Sequence, residues 1–175
     1  GTAPSTDVVQ SLPAPGGAVP PGTVAAAIGT LPTVRSDLSA VTLGGRAYVL
    51  GGYDGSTPLA SVLSTADGSR FVQVARLPSP ARYTSSMALG GRIYAFGGET
   101  AGGSASDAIQ EVDPRAGTAR VVGHLPIPVS HASAIVLAGR AYVLGGEAGG
   151  APTGAIWRFD PGRGTVVPAG RLPRP

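Results

Sequence analysis

A segment of about 47 residues recurs along this chain, and a period of that length restricts the fold to a repeat architecture before any single residue is considered. Leu31 to Gly52 reads LPTVRSDLSAVTLGGRAYVLGG, Leu77 to Gly98 reads LPSPARYTSSMALGGRIYAFGG, and Leu125 to Gly146 reads LPIPVSHASAIVLAGRAYVLGG. Leu172-Pro173 opens another copy. The Leu-Pro pairs start 46, 48 and 47 residues apart, and the Gly-Gly pairs lie 46 and 48 apart. A unit this small buries its apolar face only against a neighbouring unit, so the repeats must stack.

Each full repeat divides into four short apolar runs. The first runs are Ser39–Leu43, Ser85–Leu89 and Ser133–Leu137, each followed by a turn: Gly44-Gly45-Arg46, Gly90-Gly91-Arg92 or Ala138-Gly139-Arg140. The second runs are Ala47–Leu50, Ile93–Phe96 and Ala141–Leu144, all closed by Gly-Gly. A variable polar loop separates them from a third run, and an Asp-Gly or Asp-Pro turn separates the third from a fourth. Runs of this length, rich in Val, Ile, Tyr and Phe and bounded by Gly and Pro, are strands. Four strands per unit at this period define an all-β chain, a β-propeller of four-stranded antiparallel blades. The expected blades span residues 31–76, 77–124 and 125–171, with the next starting at 172, about three and a half blades in all. Residues 1–21 read either as a linker or as an outer strand of an incomplete blade; from residue 22 onward the repeat pattern holds.

These residues resemble the kelch repeat, in which Leu-Pro leads through a strand to Tyr-x-x-Gly-Gly and on to Asp-Pro. Tyr48, Tyr94 and Tyr142 precede the Gly-Gly pairs at 51, 97 and 145, and Asp113-Pro114 and Asp160-Pro161 each stand twelve residues before the next Leu-Pro. The late aromatic position of the repeat holds Phe71, then Ala119 and Val166, so the repeats are degenerate there. The resemblance implies a kelch-type propeller, a scaffold that hosts both partner-binding modules and sugar-processing enzymes.

Composition narrows the chemistry. The chain has no cysteine, which excludes disulfides, thiol nucleophiles and thiolate metal sites. All thirteen basic residues are arginine, so neither a P-loop nor a Schiff base is available. The absence of Lys and Asn fits a GC-rich, bacterial coding sequence. The pI of 9.8 reflects that missing lysine, since the net charge is only +3; specific nucleic-acid binding is not expected. The uncharged stretch 8–34 contains five prolines and is no membrane span. Gly1 to Asp7 has no basic head followed by an apolar run, which fits a mature exported protein, the expectation here, and equally a trimmed chain.

Alternating strand direction sorts the turns onto two faces. One collects Arg46, Arg70, Arg92, Arg115, Arg140 and Arg163 with Asp67, Asp113 and Asp160, a repeated turn chemistry that reads as solvation of tight turns, with an anion- or polyanion-binding rim as the alternative. The other carries the variable loops and the connections between blades, the usual place for binding residues on a rigid scaffold. Its candidate ligand-binding residues are Arg35, Asp37, Tyr53, Arg82, Tyr83, Glu99, His131 and Glu147. Arginine forks hold carboxylates and tyrosine offers contact area at low entropic cost. His124 and His131 lack metal-ligand spacing, no catalytic set is recognisable, and no cofactor is implied. The function expected is a non-enzymatic scaffold for a protein or glycan partner, completed by further blades from the same parent chain or another copy. The alternative is part of a carbohydrate-active or isomerising propeller enzyme.

Overall fold

The computed structural model describes residues 8–10 and 27–173. The expectations placed on residues 1–7 and 11–26 lie outside that range. Sixteen strands appear among the described residues, and no helix. A short antiparallel pair, β1 (Val8–Gln10) and β2 (Ala27–Thr30), comes first. The first blade is β3 (Ser39–Leu43), β4 (Arg46–Leu50), β5 (Ser61–Thr65) and β6 (Val72–Arg76). The second is β7 (Ser85–Leu89), β8 (Arg92–Phe96), β9 (Ala108–Asp113) and β10 (Thr118–His124). The third is β11 (Ser133–Leu137), β12 (Arg140–Leu144), β15 (Ala155–Asp160) and β16 (Thr165–Arg171), with a two-residue hairpin, β13 (Glu147–Ala148) and β14 (Ala151–Pro152), in its loop. Every blade is a four-stranded antiparallel meander in chain order, and the first strands β3, β7 and β11 neighbour one another.

The repeat extends to an irregularity in the ladder. Between third and fourth strands the register skips one residue, at Val74, Val122 and Ala169. The pair β1–β2 skips at Ile28, which stands the same three residues before its Leu-Pro. An added residue bends the strand and increases its twist. The residue after the skip then approaches the neighbouring blade: a Cβ on Gly123 would lie 2.3 Å from the Gly164 carbonyl oxygen, and one on Gly29 would lie 2.5 Å from that of Gly68.

The core lies between blades. Because side chains alternate along a strand, Tyr48 and Leu50 face forward, toward the second blade, and meet Ile93, Ala95 and Val112. Tyr94, Phe96 and Ile109 face forward in their turn and meet Ala141, Val143, Trp157 and Phe159 of the third blade. Phe159 sits edge-on to both Tyr94 and Phe96, with ring centroids 5.3 and 5.5 Å away, which suits the ring quadrupoles. The lone tryptophan is thus a packing residue. The third blade's own forward face is open: Met87 is 3% exposed, whereas Ile135 at the same repeat position is 41% exposed, and Leu137 reaches 63%.

Polar side chains tie the frame. The buried Gln110 accepts from the Ser79 amide at 2.9 Å and donates to the Ser79 carbonyl at 3.1 Å, fixing the connection between the first and second blades. The Asp67 carboxylate accepts the Ser69 amide of its turn at 2.9 Å, and such bonds draw its pKa down to about 2. Among the described residues no helix is long and apolar enough to cross a membrane.

Candidate functional site

The candidate residues stand where each blade connection meets the loop after Gly-Gly. Three residues in equivalent positions, Tyr53, Glu99 and Glu147, form reciprocal backbone bridges with Ser36, Arg82 and Ser130. The amide-to-carbonyl distances are 2.7 to 3.1 Å. The Gly-Gly doublet makes this junction feasible. At φ 60° Gly97 leaves room for the Val129 carbonyl oxygen, which would lie 2.1 Å from any Cβ there. Gly98 then donates its amide to that same carbonyl at 2.9 Å, and Gly52 does likewise to Ala81 at 3.0 Å.

The next residue in each connection has a left-handed backbone: Asp37 (φ 56°), Tyr83 (φ 54°) and His131 (φ 56°). For a residue as bulky as tyrosine this conformation costs about 1–3 kcal/mol and must be enforced by its surroundings. Here the enforcement is a backbone relay. The Tyr83 amide donates to the Asp37 carbonyl at 2.9 Å and the His131 amide donates to the Tyr83 carbonyl at 3.0 Å. One residue from each blade is thereby stitched to the next, and their side chains converge.

Arg82 stands in the middle of that group. Its Nε and Nη2 donate to Glu99 Oε2 at 3.1 and 3.0 Å, and its guanidinium carbon lies 4.8 Å from the Tyr53 ring centre and 5.1 Å from that of Tyr83. Cation–π attraction and the ion pair together hold one rotamer of a flexible side chain. Tyr83 stacks on His131 with ring centroids 4.0 Å apart. Desolvation first, then a hydrogen bond toward the Asp37 carboxylate, push the Tyr83 hydroxyl above its ordinary pKa. His131 Nδ1 lies 3.0 Å from the Oγ of the buried Ser130.

Not every candidate joins the group. Glu147 is exposed on β13 and has no ion pair among the described residues. Arg35 is 3% exposed, and its Nη1 donates to the Gly51 carbonyl and to Ser61 Oγ, both at 3.0 Å. It is a strut inside the first blade rather than a rim residue. The reason is register: Arg35 aligns with the buried Ala81 and Val129, while Arg82 aligns with Ser36 and Ser130 one residue later. In an extended segment one residue reverses the direction of the side chain. A loop residue that sequence reasoning did not select, Asp54, accepts the amides of Ser56 and Thr57 at 2.8 and 2.7 Å, which draws its pKa down to about 2. Its signal was the Asp-Gly-Ser-Thr turn composition alone. Among the described residues no three His, Asp or Glu side chains gather as a metal site would need.

Residues 35–64 match the family model described as the Kelch motif. The first blade therefore carries a Kelch motif, and the two blades that follow repeat its sequence pattern. A solved structure titled "Structure of YjhT" has a similar fold, with a TM-score of 0.67 at 18% identity. The match covers 81% of this chain, which spans about half (53%) of the length of that solved chain. At that identity the likeness carries the propeller fold and no activity. No curated protein matches the chain.

Proposed function

We propose that this chain is a non-enzymatic interaction scaffold, part of a kelch propeller that binds a protein or glycan partner through the face carrying Arg82. The observation that carries the reading is the Arg82 group itself. Residues from three successive blades hold a half-buried guanidinium against Glu99 and two tyrosine rings, with His131 stacked alongside. Preorganised aromatic faces and fixed acceptors on a stiff frame lose little entropy when a partner docks. Asp37, Glu99 and Glu147 offer carboxylates to hydroxyl, amide or ammonium donors, and Tyr53, Tyr83 and His131 offer stacking area. Binding is favoured over catalysis because Glu99, the one acid at the centre of the group, is held in an ion pair by Arg82.

The remaining blades of the ring belong to the same proposal. Ile135, Leu137 and Val167 are exposed where Met87 and Leu89 of the second blade pack against a neighbour, so a further blade from the parent chain or another copy fits there.

The test is an array of peptides and glycans probed with the chain and with Arg82→Ala/His131→Ala. Loss of binding by at least about tenfold, the value of one charge-assisted contact, is expected in the double variant. Arg115→Ala on the opposite face should leave binding unchanged. Equal binding by the Arg82/His131 variant would rule out this face.

A further inference from the structure

The turns on the opposite face repeat an arginine chemistry, and in the first two blades the arginine that opens the second strand has a side-chain partner on the third. Arg46 Nε donates to Ser64 Oγ at 2.8 Å. In the second blade Arg92 pairs with Asp113 at 3.0 Å, while Glu111 accepts from Arg120 at 2.9 Å and from the Tyr94 hydroxyl at 3.0 Å. The acceptor on the third strand, opposite the repeat's tyrosine, is therefore Ser64 or Glu111.

The third blade reverses that charge. The residue opposite Tyr142 is Arg158, so a cation stands where the acceptor should be. Arg140, which occupies the position of Arg46 and Arg92, has no ion pair among the described residues, and neither has Arg158. Asp160 does not compensate them. Its Oδ1 accepts the amides of Gly162 and Arg163 at 2.9 and 3.3 Å, and its Oδ2 pairs with Arg163 at 3.1 Å. All four charged side chains line one cleft of about 410 Å³, whose apolar walls include Leu89 and Phe159. Three guanidinium groups against one occupied carboxylate leave that cleft with an excess of positive charge.

We propose that this cleft binds a small organic phosphate. Guanidinium groups present paired donors in the planar geometry that phosphate oxygens accept, and an oxyanion supplies the missing acceptor for Arg140 and Arg158. The volume exceeds that of a bare tetrahedral anion, and Leu89 and Phe159 give an organic substituent apolar surface to cover. The site lies on the face opposite Arg82 and does not draw on it, but Arg158 and Val167 stand in the same cross-strand row as Ile135, so a blade docked on that side also borders the cleft.

Phenyl phosphate and inorganic phosphate serve as probes, titrated into the nitrogen-15-labelled 175-residue chain while the arginine Nε–Hε signals are followed. Both probes should shift Arg140 and Arg158 selectively, with phenyl phosphate binding more tightly. Arg140→Gln/Arg158→Gln should weaken binding by at least about tenfold. Arg158→Glu, which restores the acceptor found at Glu111, should abolish it, and Arg46→Gln should change nothing. Equal shifts at every turn arginine, or unchanged affinity in the Arg158→Glu chain, would overturn the proposal. Phenyl phosphate binding no more tightly than inorganic phosphate would overturn the assignment of an organic ligand.

Discussion

Replacing Phe96 by alanine tests whether the contact between blades, rather than the blade itself, holds this chain together. Phe96 is 1% exposed, packs edge-on to Phe159 across the second junction, and belongs to the cluster that contains Met87, Val143 and Trp157. Truncating a buried phenylalanine removes its transfer energy, leaves a cavity and deletes the aromatic pair, together about 4 kcal/mol. That is a large share of the roughly 5–15 kcal/mol that stabilises a domain. At a urea m-value near 2 kcal/mol/M, the midpoint should fall by about 2 M. The single tryptophan, Trp157, is 5% exposed in the same cluster, so its fluorescence reports the loss of this interface, with circular dichroism following the strands. Leu144 is the internal control. It occupies the same repeat position on the third blade, but its forward face is open and the residue is only half-buried. Leu144→Ala should cost only about 1 kcal/mol, because the atoms removed touch few others. A loss below about 2 kcal/mol for Phe96→Ala, or equal losses for the two variants, would refute the argument that junction burial sets stability.

Two further outcomes follow from the frame. Gly97 and Gly90 share a left-handed backbone (φ 60° and 61°), but a Cβ at Gly97 would strike the Val129 carbonyl oxygen whereas one at Gly90 meets nothing within 4 Å. Gly90→Ala should therefore cost about 1 kcal/mol for the backbone alone, and Gly97→Ala about 3 kcal/mol or more, measured by the same urea titration; equal costs would show that the junction yields. Burial, reinforced by the hydrogen bond to Glu111, pushes the Tyr94 hydroxyl up to about 12 from the ordinary 10. A raised folded-state pKa means that this contribution is complete below pH 10 and is lost as the pH rises toward 12. Stability should thus decline by an extra 2–3 kcal/mol or so across that window in the natural chain, and Tyr94→Phe should remove that part of the decline; identical pH profiles would contradict it.

The propeller was legible because its determinants are local and repeated. Gly-Gly, Tyr and Leu-Pro recur with period-two apolar runs between them, and each copy supports the reading of the others. The candidate site was legible only in part. Arg82, Glu99, Tyr53, Tyr83, Asp37 and His131 were each identifiable as residues on the loop face, but their convergence was not. Tyr53 reaches Arg82 from the preceding blade, and Tyr83 meets His131 across the next junction. No spacing rule within one repeat encodes such contacts.

Arg35 shows the same limit from the other side. Its residue type matches Arg82, but it stands one residue nearer its Leu-Pro, and that residue of register turns it inward to Gly51 and Ser61. Strand pairing alone sets Arg158 opposite Tyr142, in the place of Ser64 and Glu111. The sequence by itself determined the repeat, its four strands, the turn glycines and the alternation that divides each strand into two faces, because backbone sterics and apolar periodicity act within a few residues. Tertiary structure alone decided which faces meet, which charges find a partner and which side chains cross from one blade to the next. Those contacts depend on how neighbouring blades are placed in space, a relation that distance along the chain does not record.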